Sequence, residues 1–169
     1  MNPAFEKYIA ETVTRLRKPG LLLVSTNKDG KSNVMTIGWG LIGVFWRMRV
    51  FMVAVRPSRY THDFIRDSGE FTVNVPREGL DDVVQYCGEV SGKEHDKFSE
   101  CKLTLLKAKK VKVPVIKECK IHYECQVVHQ LSVTPSLVPA RVKKIFYPRR
   151  DYHTLYFGKI LAAYKKRSP

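Results

Sequence analysis

Phe5, Tyr8, Ile9, Thr12, Val13 and Leu16 recur every three or four residues, which predicts an amphipathic helix over residues 4–17, stopped by Pro19-Gly20. The period then changes to two. Leu21–Thr26 is an apolar, partly β-branched run, and Asn27-Lys28-Asp29-Gly30 after it is a hairpin turn signal. In the next strand Asn33, Met35, Ile37 and Trp39 share one face, while Val34, Thr36 and Gly38 share the other. Gly38 and Gly40 mark either a close approach of another body to the backbone or a bulge. Val50–Val55 is apolar on both faces, the pattern of a central strand, and Pro57 ends it. Ser58 then reads as the N-cap of a helix over residues 59–67. Residues 70–75 alternate as a strand, and residues 80–90 return to helical spacing with Leu80, Val83, Val84 and Cys87 on one side.

Alternation is longest after Cys119. Ile121, Tyr123, Cys125 and Val127 follow it on one face, opposite Lys120, His122, Glu124 and Gln126, so a long strand with one buried side is expected. His129 continues the apolar face and reads as a hydrogen-bonded structural histidine. Residues 134–150 hold three prolines and no clean period, and the middle of that stretch (140–147) is either a basic helix or an extra strand. Residues 153–164 read as a last strand with Leu155, Phe157 and Leu161 inward, and residues 165–169 as a frayed tail. The total is six or seven strands, few short helices and little βαβ rhythm. That describes a mostly β protein, an antiparallel barrel with peripheral helices. No repeat, low-complexity tract or linker divides the chain, so residues 1–169 read as a single domain.

Composition narrows the class. The apolar fraction of 44% is that of a folded protein. No run of about 18 apolar residues is present, so no membrane span is expected. Met1–Lys7 lacks the basic-then-apolar order of a signal peptide, which predicts a cytoplasmic protein with reduced thiols. Cys87, Cys101, Cys119 and Cys125 match no common zinc spacing and read as unpaired, mostly buried residues, with no metal. The net charge of +14 is uneven: residues 1–101 are close to neutral, and nearly all the excess lies beyond them. Such a surface attracts phosphorylated cofactors, nucleic acid or an acidic protein partner, or serves only solubility. No aromatic-interleaved motif accompanies the charge, which argues against nucleic acid.

Three stretches carry candidate chemistry. Asn33–Trp39 offers backbone amides beside an indole, which suits a planar ring. Arg56-Pro57-Ser58-Arg59-Tyr60-Thr61 offers hydroxyls, two guanidinium groups and helix-start amides, which suit an anion, although solvated arginines on an ordinary capped helix have the same sequence. The loop from Cys87 to Phe98 mixes glycines, charges and an aromatic, so Lys97 either brings a cation to a phosphate or is solvated. No convincing Ser/His/Asp or Cys/His constellation appears.

Taken together, four motifs in order resemble the flavin reductase-like family of FMN-binding split barrels, the group that includes flavoredoxin. They are Asn33-x-Met35-Thr36-x-x-Trp39; Arg59-Tyr60-Thr61 with Gly69–Pro76; Cys87-Gly88-x-x-Ser91-Gly92-x-x-x-Asp96-Lys97-Phe98; and His153–Ile160. The resemblance implies a six-stranded antiparallel split barrel with short flanking helices. It also implies a homodimer and FMN, or alternatively FAD, held without a covalent bond. Carried over by position, Asn33 and Trp39 border the isoalloxazine and ribityl chain, with backbone from Met35, Thr36, Ile37 and Gly38 against them. Ser58, Arg59, Tyr60 and Thr61 with Lys97 hold the phosphate, and His153 lies near the flavin as the one candidate catalytic side chain. The activity implied is oxidoreduction, with electrons from NAD(P)H or an acidic redox-protein partner, or electron carriage without direct NAD(P)H activity. A redox-silent basic module binding nucleic acid or an acidic partner is the competing class. Departures from the family pattern are Leu41, where relatives can carry a cysteine; a longer, basic 134–150 insertion; and few residues after the last strand, which predicts a site lacking part of its cover.

Overall fold

The computed structural model describes residues 4–165. All but Lys165 of the tail expected to fray lies outside the described residues. Helix α1 (Ala4–Arg17) leads into β1 (Leu21–Thr26), β2 (Ser32–Ile37), β3 (Gly40–Phe45) and β4 (Met48–Val55). Then come α2 (Tyr60–Ser68), β5 (Glu70–Pro76), α3 (Asp81–Glu89) and the short α4 (Lys97–Glu100). Strands β6 (Leu105–Leu106) and β7 (Val115–Ile116) pair only with each other. The remaining elements are β8 (Cys119–Ser132), α5 (Ala140–Phe146) and β9 (Thr154–Lys165).

Seven strands form one antiparallel sheet in the order β2-β1-β5-β8-β9-β4-β3. Laid flat, that order would separate β2 from β3 by about 29 Å. Yet only Gly38 and Trp39 lie between the end of β2 and the start of β3, a reach of at most about 11 Å. The sheet must therefore roll into a barrel. At the junction the Trp39 carbonyl accepts a hydrogen bond from Ala54 N–H of β4 (3.3 Å). Inside the roll lie Leu21, Leu23, Phe51, Phe71, Tyr123 and Tyr156, with Phe5 and Leu16 of α1 packed on them. Thr12 and Tyr123 hydrogen-bond to each other in this core (2.8 Å). A second cluster, including Leu22, Val34, Val84, Cys87, Val113 and Ile116, joins the outer sheet face to α3 and the 103–116 segment.

Four expectations are corrected. The sheet has seven strands, not six, because β3 pairs with β4 through the two-residue turn Trp46-Arg47. Both turn residues are left-handed (φ 51° and 59°), a geometry usually signalled by Asn-Gly, so the sequence carries no turn mark there. From Cys119 to Cys125, strand β8 is covered on both sides rather than one. His122 and Glu124 are fully buried: His122 Nδ1 meets Asn74 Oδ1 (2.9 Å), and the Glu124 carboxylate accepts from the amides of Lys109 and Lys110 and from the Tyr164 hydroxyl. A register shift between Val127 and His129 breaks the alternation. His129 is therefore exposed rather than a buried structural histidine, with its ring beside Trp46 and Phe157. Strand β9 is out of phase by one residue with the pattern expected: Tyr156 is buried in the barrel, and Leu155 and Phe157 lie half-buried on the opposite face. The ambiguous 140–147 stretch is a helix, α5.

Candidate functional site

The turn ahead of α2 closes when Arg59 N–H donates to the Arg56 carbonyl (3.0 Å). Arg59, not Ser58, occupies the N-cap position, and its side chain makes no capping bond. The Ser58 hydroxyl instead donates to the Asp151 carboxylate, from 93 residues away in sequence. The start of α2 lies against a cavity of about 70 Å³. Ser58, Arg59, Tyr60 and Thr61 line it on one side, with Asn33, Ser91, Gly92 and Lys97 opposite. Asn33 Nδ2 donates to the Thr61 hydroxyl (2.8 Å), which ties β2 to the start of α2. The backbone of Gly92 lies hard against Asn33: a Cβ there would sit 2.0 Å from Asn33 Oδ1.

Lys97 is 2% exposed. Its ammonium donates to the carbonyls of Cys87 (3.2 Å) and Val90 (3.3 Å) at the end of α3, the negative end of that helix. Burial, with Arg59 nearby adding to it, lowers its pKa to about 8. Burial, then Arg56, likewise lowers the Arg59 guanidinium. Three cationic side chains thus crowd one small region, the arrangement that an incoming anion relieves.

A second cavity of about 220 Å³ continues from the first, and Met35 and Arg59 line both. Its walls are the segment Met35–Trp39, Ala54, Arg56, Gly88 and His153. Ile37 is 2% exposed and Met35 5%, so their side chains belong to the core and what they offer the cavity is mainly backbone. The Thr36 hydroxyl donates to the Val84 carbonyl and so anchors α3 to β2. A Cβ on Gly38 would meet the Leu16 carbonyl at an ordinary contact of 4.0 Å, whereas a Cβ on Gly40 would meet the Met52 carbonyl at 2.7 Å. Gly40 therefore lets β4 come close.

Trp39 packs on His153 with ring centroids 4.6 Å apart, and meets the edges of Phe146 (5.2 Å) and Tyr147 (6.4 Å). His153 is buried. Its Nδ1 shares a hydrogen bond with the Tyr147 hydroxyl (3.0 Å), and burial, reinforced by Arg56, lowers its pKa to about 4. At neutral pH the ring is uncharged. Arg56 is held by the carbonyls of Asp151 (3.0 Å) and Phe146 (2.8 Å), with its guanidinium 5.4 Å from the Tyr147 ring centre.

The twelve candidate residues therefore meet along one groove, cationic and hydroxyl-bearing at one end and flat, aromatic and amide-lined at the other. A family model, the flavin reductase like domain, matches residues 16–168. The chain belongs to this flavin reductase-like family. A curated, functionally uncharacterised protein of Archaeoglobus fulgidus is 37% identical over 131 residues, covering 78% of this chain and 64% of its own length. This chain thus spans less than two thirds of that relative. Flavoredoxin of Methanosarcina acetivorans superposes with a TM-score of 0.69 at 32% identity, over 88% of this chain and 69% of that one. Flavoredoxin of Desulfovibrio vulgaris reaches 0.71 at 23% identity over 88% and 70%, which bears on the fold alone. The rolled sheet is the family's split barrel.

The sequence reading missed what the 134–150 insertion does. Phe146 and Tyr147 wall the Trp39–His153 pair, and Asp151 holds both Ser58 and Arg56. The phasing of aromatic residues before His153 was the only signal available. Leu41, at the family's cysteine position, is 68% exposed on β3 and lines neither cavity.

Proposed function

We propose that this protein is a cytoplasmic FMN-binding oxidoreductase that relays electrons from NAD(P)H or a redox protein. The observation that carries the reading is the continuity of the two cavities through Met35 and Arg59, with an anion cradle at one end and a flat amide-lined slot at the other. The donor set fits the cofactor: Ser58, Arg59, Thr61 and Lys97 suit a phosphate, and the Met35–Gly38 backbone with Trp39 suits a planar heterocycle. Flavin, when bound, supplies the electron transfer. The chain's part is to bind, orient and shield. Amides along β2 are hydrogen-bond donors of fixed direction for a ring that gains charge on reduction. Neutral His153 offers a hydrogen bond without adding charge, and buried Tyr147 covers that end.

Purified protein titrated with FMN should quench its fluorescence and shift its absorption. A protein that stays colourless and takes up no added FMN would sink the reading. Lys97→Ala and Arg59→Ala should each weaken FMN by roughly 10- to 100-fold, the loss of one charge-assisted hydrogen bond, and leave riboflavin much less affected. Equal losses for both ligands would remove these residues from the phosphate.

One observation favours a second reading, a carrier that docks an acidic donor and has no direct NAD(P)H activity. Lys102, Lys107, Lys109, Lys110, Lys112 and Lys117 are all exposed on a segment anchored by buried Leu103, Ala108, Val111 and Val113. Glutamates hold its backbone from beneath: Glu124 binds the amides of Lys109 and Lys110, and Glu70 that of Lys112 (2.8 Å). Stopped-flow mixing with NADH and NADPH separates the two, since rapid bleaching of bound flavin excludes a pure carrier.

A further inference from the structure

Tyr147 belongs to the 134–150 insertion, outside the four ordered motifs, and its hydroxyl meets the ring of His153. We propose that Tyr147 is a positioning residue that fixes His153 as its Nε2–H tautomer. This end of the groove then presents a hydrogen-bond donor and selects a ligand with an acceptor atom there. The inference rests on the flavin reading and deepens it, because it sets which kind of ring atom can lie against His153. The phenol is held firmly. Tyr147 N–H donates to the Lys143 carbonyl (2.9 Å), and its carbonyl accepts from Arg150 N–H (3.0 Å), in a turn where Arg150 is left-handed (φ 56°). The Tyr147 ring stacks on Tyr152, with centroids 4.6 Å apart and planes at 24°, and the Arg56 guanidinium lies over it.

The hydrogen between the Tyr147 oxygen and His153 Nδ1 (3.0 Å) can belong to either atom. If Nδ1–H donated it, the phenol hydrogen would be buried without an acceptor, because Nδ1 is the only acceptor this hydroxyl meets among the described residues. A buried donor left without an acceptor is the costly arrangement. Burial raises the phenol pKa, against the opposing influence of Arg56 and of the His153 backbone N–H, so the phenol keeps its hydrogen at neutral pH. That backbone N–H is a donor to the same oxygen, which leaves the phenol hydrogen for Nδ1. His153 is uncharged at neutral pH and holds one ring hydrogen, so Nε2 carries it. Trp39 covers the imidazole face, and His153 lines the cavity of about 220 Å³ at the flat end of the groove. Nε2 meets no partner among the described residues, so its N–H is left for a ligand. Such a donor complements a carbonyl oxygen or an unprotonated ring nitrogen and is mismatched to an N–H group.

The tautomer can be read before any ligand is added, from long-range proton–nitrogen correlation spectra of protein isotope-labelled at its histidine nitrogens, recorded at neutral pH. His153→Gln identifies the signals. The wild type should show the Nε2–H pattern for His153. Tyr147→Phe, which keeps the ring and loses only the hydroxyl, should show a mixture of both tautomers. Titrated with flavin, that variant should lose about 3- to 10-fold in affinity for FMN and riboflavin alike, because the change lies at the ring end and not at the phosphate. An Nδ1–H or mixed pattern in the wild type, or an unchanged pattern in Tyr147→Phe, would overturn the inference and leave the flavin reading intact. Unchanged affinity for both flavins in the variant would take the flavin ring away from this donor. Failure of the wild type to bind either flavin would remove the flavin reading and, with it, the ligand assigned to His153.

Discussion

Lys97 shows how a single buried charge is tuned by its surroundings. Removing an ammonium from water costs several kcal/mol unless the charge is answered. Here two α3 carbonyls answer it only in part, so the pKa falls to about 8. Because the folded value lies below the unfolded one, the folded state holds fewer protons between about pH 8 and pH 10.5, and stability rises with pH across that window. Binding of an anion has the opposite sign: a phosphate favours protonated Lys97, so affinity falls as pH rises through about 8. The second ionisation of a phosphate, near pH 6, is already complete there. The ratio of FMN to riboflavin affinity, measured from pH 7 to 9.5, should therefore decline in the wild type and stay level in Lys97→Met. A level wild-type profile would place Lys97 away from the phosphate. At this scale the sequence named most of the groove, because Asn33, Arg59, Thr61 and Lys97 fall within the ordered motifs shared with the family. It misplaced Ser58. Serine favours N-caps by local chemistry, but a carboxylate 93 residues away competes for the same hydroxyl.

Among the elements, the junction of β2 with the α3–α4 loop bears most on the site. Gly92→Ala would place a methyl 2.0 Å from Asn33 Oδ1, and Asn33 would have to release Thr61. The expected cost is about 1–3 kcal/mol, read as a lower urea midpoint together with weaker FMN binding. Wild-type stability and affinity in that variant would mean the Asn33–Thr61 tie does not hold the cradle. Elements with a strong period, such as α1, β1, β4 and β5, were legible in the sequence because burial on one or both faces writes itself into the spacing. Strand β3 was not. Its hairpin uses Trp46-Arg47, residues that pay roughly 1–2 kcal/mol each for a left-handed backbone, and only two residues separate the strand from β2. The reversal of faces at His129 was equally hidden, since a bulge inserts one residue without changing composition.

For the whole molecule, β3 ends the sheet as an edge strand with Leu41, Val44 and Trp46 exposed, and α5 beside the site exposes Ile145 and Phe146. An apolar edge of this kind is a pairing surface. We expect a homodimer through it, in accordance with the family resemblance. Sedimentation should give twice the chain mass for the wild type and a folded monomer for Val44→Glu/Trp46→Lys. A wild-type monomer at tens of micromolar would refute the dimer. The segment carrying the exposed lysines 102–117 is fastened to β8 by buried Glu124 and to β5 by half-buried Glu70, so the uneven charge is held on a defined surface.

What the sequence determined by itself was the set of locally periodic strands and helices, the antiparallel β class and, through four ordered motifs, the family and most of the groove's residues. These are legible because each depends on residues close together in the chain. The tertiary structure alone decided that seven strands roll up, that Lys97 is desolvated, that Asp151 binds Ser58, and that Phe146 and Tyr147 close the aromatic end. Each of those depends on a partner brought near by folding, and no spacing along the chain encodes the distance between residues that meet only in space.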